Sequence, residues 1–373
     1  MNEARLKAIE HLKKARVGLP EKEVTIGIDA FIDKILRLVQ NKTVSGEYVY
    51  FDDIAQFGQH LITKAGKSGQ MEACVRFTKL GGNAPLMADA VGSLGVKVNC
   101  VGAMGYPQID PVFNGLSENI DLYTIGNPGY TTALEFDDGK IILSQREDLH
   151  RINWITMKNM LGMDKLKNFF LDSNVIGLVN WTGMIHFNDI FKGVIKEILP
   201  QHTPNKEQII FFDMADFGER TKEDLAEAVD LINEFAKHYK VILGLNENET
   251  NLFMRDLYPD AKLKDIYEVG QFIFDHLKID AFVIHTLTSS MAFEKNGMTE
   301  VESLYVKQPK LSTGGGDNFN GGLCFGQLTG MDFEGSLYVA NAVSGFYVRN
   351  AKSPNLDDLI NTLEQWEDLI EKC

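Results

Sequence analysis

The chain has 373 residues, 44% hydrophobic and 24% charged, an ordinary globular balance that excludes collagen-like, low-complexity and wholly disordered readings. Lysine and arginine number 37 against 52 aspartates and glutamates, a net charge of −15, so the chain lacks the basic footprint of a nucleic-acid binder. An anionic ligand must therefore be met by a local device such as a helix N-terminus or a metal ion.

The chain opens on a charged stretch without the apolar centre of a signal peptide. Leu6, Ile9, Leu12 and Val17 recur at roughly helical spacing and predict a docked amphipathic helix. Strands are predicted at 24–28, 98–102, 175–180, 208–212, 241–245 and 281–285. These runs are almost continuously apolar, the pattern of strands buried on both faces of a parallel sheet. Helical patterns lie between them at 85–94, 157–171, 220–238 and 263–276. Strand and helix alternating in series predict an α/β fold, a doubly wound, mainly parallel sheet flanked by helices. Two stretches break this rhythm. Residues 42–79 are polar with scattered aromatics, and 130–151 read as a hairpin turning at Asp137-Asp138-Gly139-Lys140. Together they predict a small β lid over the C-terminal edge of the sheet. No run is apolar and long enough for a membrane span. Cys74, Cys100, Cys324 and Cys373 form no CxxC pair and read as reduced thiols of a cytoplasmic protein.

Four motifs carry chemistry. Ser312-Thr313-Gly314-Gly315-Gly316-Asp317 opens a helix predicted to run to about Gly330. Glycine amides at a helix start form an anion hole, and Asp317 at its mouth can accept a proton from a hydroxyl. A glycine-rich cap with a dipole-matched acid has the same pattern. Gly81-Gly82-Asn83 lets backbone approach a ligand and offers Asn83 as donor and acceptor, although turn chemistry alone accounts for the glycines. Asp29 and Asp33 follow the first strand, where open α/β sheets bind ligands and carboxylates accept from hydroxyls; Asp33 also suits a solvated helix start. Asn246 and Glu249, three apart, can order a hydrated Mg²⁺ or simply cap a helix.

In order and content these motifs resemble the PfkB (ribokinase-like) family of carbohydrate and nucleoside kinases, over most of the chain. The resemblance implies a ribokinase-like kinase domain at 23–373 behind an N-terminal helical extension at 1–22. It implies transfer of the γ-phosphate of ATP, with Mg²⁺, to a hydroxyl of a sugar or nucleoside. Asp317 would be the base and the Gly314, Gly315 and Gly316 amides the anion hole. Asp29, Asp33, Gly81, Gly82 and Asn83 would meet the acceptor. Asn246, Glu249, Thr286, Thr288 and Asn341 would meet the nucleotide, with Glu249 reaching the metal through water. The family's lid sheet also implies a homodimer. Two departures stand out. The family signature begins with Asp where this chain has Ser312, and its Thr-Leu-Gly reads Thr286-Leu287-Thr288 here.

Other readings have less support. Ala65-Gly66-Lys67-Ser68 lacks the glycine that a phosphate-binding P-loop needs at position 61, which is Leu61. No strand–GxGxxG–helix unit supports a nicotinamide-dependent oxidoreductase. A ribokinase-like protein that binds without phosphorylating is the remaining alternative. Arg76, Lys79 and Arg146 lie in or beside the lid segments, where a phosphorylated acceptor would need cations.

Overall fold

The computed structural model describes residues 2–371; Cys373 lies outside them. Fourteen strands are present among the described residues: β1 (Glu23–Gly27), β2 (Phe31–Lys42), β3 (Tyr48–Tyr50), β4 (Ala73–Gly81), β5 (Lys97–Gly102), β6 (Ile120–Thr124), β7 (Gly129–Phe136), β8 (Gly139–Gln145), β9 (Val175–Leu178), β10 (Ile209–Asp213), β11 (Lys240–Asn246), β12 (Ala281–His285), β13 (Ser289–Glu294) and β14 (Gly297–Glu302). Nine of them form one sheet in the order β14-β13-β12-β11-β10-β9-β1-β5-β6. From β12 to β6 every neighbour is parallel, and only the β12–β13–β14 edge is antiparallel.

Alternation along the central strands explains their continuous hydrophobicity. Ile209, Phe211, Ala281 and Val283 pack into one core; Ile210, Phe212, Phe282 and Ile284 pack into the other. The first core includes residues of helices Asn83–Ser93, Gly315–Leu328 and Phe333–Asn350, the second those of Phe187–Glu197, Lys222–Phe235 and Glu247–Leu257. Each fully buried large apolar side chain contributes about 1.5–3 kcal/mol, so both faces stabilise the sheet.

A second sheet joins β3-β2-β7-β8, with β4 on the other edge of β2. It takes in β2, a 12-residue strand outside the segments expected for the lid. Asp33 is thus a strand residue and not a helix start. Helix Ile54–Thr63 lies in the loop between β3 and β4, and its Phe57 packs on Phe51 and Phe136. The helical pattern at 157–171 is two helices, Trp154–Leu161 and Met163–Leu171, parted by Gly162 at φ 78.

The N-terminal helix, Glu3–Ala15, buries Arg5, Ala8, Ile9 and Leu12. Leu6 and Val17, expected in that face, are exposed. The helix packs on Phe333–Asn350 and Leu356–Glu364, and Arg5 pairs with Glu367 at 2.7 Å. Cys74, Cys100 and Cys324 are free thiols. Among the described residues no helix is long and apolar enough to cross a membrane.

Candidate active site

The parallel strands end along one edge of the large sheet, and their following residues converge there. Asp29 follows β1, Asn180 follows β9, Asp213 ends β10, Asn246 ends β11 and His285 ends β12. Such an edge is where open α/β sheets bind ligands.

Two cavities meet at the Ser312–Asp317 turn. One, about 520 Å³, lies between the small sheet and this edge. Strand alternation aims Phe31, Asp33 and Ile35 of β2, Phe77 and Lys79 of β4, and Thr131 and Ala133 of β7 into it. Asn83, Asn180, Asp216, Thr313 and Asp317 close the opposite wall. The other cavity, about 220 Å³, is lined by His285, Thr286, Ser312, Gly315, Gly316, Phe319 and Asn341 among others. Adjacent residues of one turn therefore face different cavities.

Gly314 adopts φ +95, and a Cβ there would meet the Tyr347 hydroxyl at 2.7 Å. The Tyr347 hydroxyl donates to the Thr313 carbonyl at 3.1 Å and the Ser344 hydroxyl to the Gly315 carbonyl at 2.8 Å. Both carbonyls are thereby held. Gly315 N–H donates to the Ser312 carbonyl at 3.2 Å. Among the described residues no backbone carbonyl accepts from the Gly314, Gly316 or Asp317 N–H. Of the three glycine amides expected in the hole, Gly315 is engaged, and Gly314 and Gly316 have no backbone acceptor among the described residues.

Asp317 is partly open, at the inner end of the larger cavity. Its carboxyl is held well above the usual carboxylate range, first by desolvation and then by Asp213 and Asp29, while the Asn83 side chain hydrogen-bonds to it and favours the ionised form. Desolvation also raises Asp213 to about 6. Glu249 is raised to about 8 by burial and then by Asp213.

The remaining candidates divide. Asp33, Gly82 and Asn83 line the larger cavity. Asp29 does not: it is fully buried, and its carboxylate accepts from the Asn83 N–H (3.0 Å), the Ala84 N–H (2.8 Å) and Asn180 Nδ2 (2.6 Å). It fixes the Gly82–Asn83 turn, whose Gly82 sits at φ +96 against Ala30 and Phe31. Gly81 lies behind Asp33 and outside the cavity lining. Asn246 and Glu249 form a capping box, each side chain accepting the other's backbone N–H at 2.9 Å. Thr286 and Asn341 line the smaller cavity, with Asn341 donating to Ser290 Oγ at 2.7 Å. Thr288 is exposed and outside it. Arg76 is exposed and lines neither cavity, whereas Lys79 and Arg146 line the larger one.

Sequence reasoning missed Asn180, Asp213, Asp216, Thr131 and Asn320, whereas His285 begins the 285–290 segment that the family resemblance placed on the nucleotide side. Asn320 donates to Asp213 Oδ2 at 2.5 Å. The His285 ring lies against Phe319 at 4.8 Å, tilted by 36°, and burial lowers its pKa to about 4, so it is neutral. Asp213 was findable as a carboxylate ending an apolar strand, the rule that singled out Asp33.

Among the described residues no three His, Cys, Asp or Glu side chains converge to hold a metal directly. Glu249 and Asp213 are buried carboxylates, and Asp213 disfavours the charge on Glu249. That donor set fits a divalent ion that keeps its water shell.

A family model described as prokaryotic ketohexokinase matches residues 4–366, a stretch that includes the N-terminal helix. A ketohexokinase from Haloferax volcanii is 26% identical over 354 residues, covering 92% of each chain. Arabidopsis thaliana ribokinase complexed with ribose and ATP superposes with a TM-score of 0.62 at 15% identity, covering 92% of this chain and 98% of that one. A putative ribokinase II from E. coli, in complex with ATP and Mg²⁺, gives 0.59 at 14% identity, covering 92% and 99%. These structural neighbours share the ribokinase fold with this chain.

Proposed function

The chain belongs to the prokaryotic ketohexokinase family and is a carbohydrate kinase; we propose that it moves the terminal phosphoryl group of ATP to a hydroxyl of a ketohexose. One observation carries the assignment of roles. The bare N–H groups and Asp317 stand on a single turn between two cavities, one suited to each substrate.

In this reading the acceptor lies in the larger cavity, with its attacking hydroxyl at Asp317. The ionised carboxylate accepts that proton as the oxygen attacks. The Gly314, Gly316 and Asp317 amides, with the positive helix end behind them, hold charge developing on the transferred group. Asn83 orients the Asp317 carboxylate, and Asp29 orients Asn83 through its backbone. Thr286 and Asn341 contribute to the nucleotide side. Glu249 and Asp213 would hold Mg²⁺ through water, and the ion would supply charge neutralisation to the donor phosphates. The small sheet acts as a lid that excludes water during transfer. A homodimer through that sheet is supported by Val75 and Leu143, which are exposed on strands β4 and β8 and line neither cavity.

The test is phosphate transfer from Mg²⁺-ATP, with ADP as an alternative donor, to a panel of ketohexoses, aldoses and nucleosides. Highest kcat/KM on a ketohexose supports the reading. Preference for an aldose or nucleoside overturns the acceptor. Nucleotide binding without transfer to any of them would favour the non-phosphorylating alternative.

A further inference from the structure

The small sheet brings two opposite charges to the larger cavity. Lys79 of β4 stands directly across from Asp33 of β2 in the strand register. Its Nζ lies 4.0 Å from Asp33 Oδ2, too far for a hydrogen bond. That nitrogen is shut off from solvent and has no hydrogen-bond partner. Burial lowers its affinity for the proton, and Asp33 opposes that trend. An ammonium has three donors and no acceptor, and leaving them all unmet in a buried place is costly. Of the other cations lining this cavity, Arg146 hydrogen-bonds to Glu219 at 2.9 Å, and Lys140, more exposed than Lys79, lies 3.6 Å from Glu135. Asp33 also accepts from Thr131, which fixes its orientation.

We infer that Lys79 and Asp33 clamp a hydroxyl of a neutral, unphosphorylated acceptor. The inference rests on the kinase reading above. A turn of the Lys79 side chain toward the cavity seats one hydroxyl oxygen between the two groups, where it accepts from Lys79 Nζ and donates to Asp33. Each charged group then gains a partner that it lacks across 4.0 Å. A phosphorylated acceptor is disfavoured by the same geometry. Its phosphate would meet Lys79 only by lying against the Asp33 carboxylate, and Asp216 and Asp317 line the same cavity. Lys79 is therefore a specificity residue that selects free polyols over sugar phosphates.

Lys79→Met keeps the apolar stem and removes the charge. Without ligand its melting temperature reports whether the fold is kept, and a modest fall is expected because Asp33 loses its counter-charge. With Mg²⁺-ATP and D-fructose, its sugar KM is expected to rise about tenfold or more, with the ATP KM unchanged. Among monodeoxy-D-fructoses, the one lacking the clamped hydroxyl is expected to show equal KM with wild type and variant. An unchanged sugar KM in Lys79→Met, or a higher kcat/KM for fructose 1-phosphate than for fructose in wild type, overturns the clamp. If wild type transfers phosphate to no sugar, the kinase reading fails separately. Equilibrium D-fructose binding to wild type and Lys79→Met then decides the clamp, and equal affinity or no binding overturns it.

Discussion

Gly81 and Asp33 pack so closely that a Cβ placed on Gly81 would lie 2.5 Å from Asp33 Oδ2. Any side chain at position 81 displaces the carboxylate that the small sheet presents to the acceptor cavity. Gly81→Ala is expected to raise the sugar KM about tenfold or more while leaving the ATP KM near wild type. Steady-state kinetics with each substrate varied in turn checks this, and an unaltered sugar KM would remove Asp33 from acceptor binding.

Asp317→Asn keeps the shape of the side chain but cannot accept the hydroxyl proton. Turnover is expected to fall by at least ~10²-fold, the scale of a lost general base. Calorimetric titration with a non-hydrolysable ATP analogue is expected to show nucleotide binding retained. Near-normal turnover would remove the base from this residue.

The raised carboxyls give the unliganded protein a definite pH signature. Glu249 is raised from 4.5 to about 8 in the folded chain. The folded state then binds the proton more tightly than the unfolded one, so this stabilisation is complete below about pH 4.5 and lost as pH rises toward 8. Wild type is expected to lose melting temperature across that interval more steeply than Glu249→Gln. Differential scanning calorimetry of the two proteins decides it, and parallel curves would contradict the assignment. Activity runs the other way: Asp317 must be ionised to act, so kcat/KM falls on the acid side at a pH above that of an ordinary carboxylate.

Asp29 is assigned to architecture. Replacing it with Ala leaves the Asn83 and Ala84 N–H groups and the Asn180 amide without their acceptor. The expected loss is about 2–4 kcal/mol of unfolding free energy, measured by urea titration. A loss under about 0.5 kcal/mol, as at an ordinary surface site, would show that the capping network is dispensable.

The six central strands of the large sheet were legible because both their faces are buried, so the sequence runs apolar without interruption. Strand β2 was not, since Asp33, Lys34, Arg37 and Lys42 interrupt it. That strand faces the larger cavity on one side, and its charged residues fall between buried apolar ones. The glycine turns with Asn83 and Asp317 were readable because positive φ and close backbone packing leave a compositional mark. Asn180, Thr131 and Asp216 carry no such local mark; topology alone brings them to the cavity. Asn180 does stand at φ 60, a conformation Asn tolerates better than most residues, but the sequence does not display dihedrals. The Asn246–Glu249 spacing was compatible with a cap or with metal recognition. The structure shows the cap, and burial of Glu249 beside Asp213 keeps the second role open to test.

The Ser312–Asp317 turn has a thermodynamic consequence because it is a wall common to both cavities. A sugar that orders the turn from one side prepares the same amides for the nucleotide on the other. The two bindings then share a coupling free energy, and linkage requires each ligand to tighten the other by an identical factor. A ketohexose analogue lacking the attacking hydroxyl is expected to lower the Kd of ATP, and ATP the Kd of that analogue, by equal ratios. With such coupling, nucleotide held without sugar would meet an incompletely ordered turn, which protects ATP from idle hydrolysis.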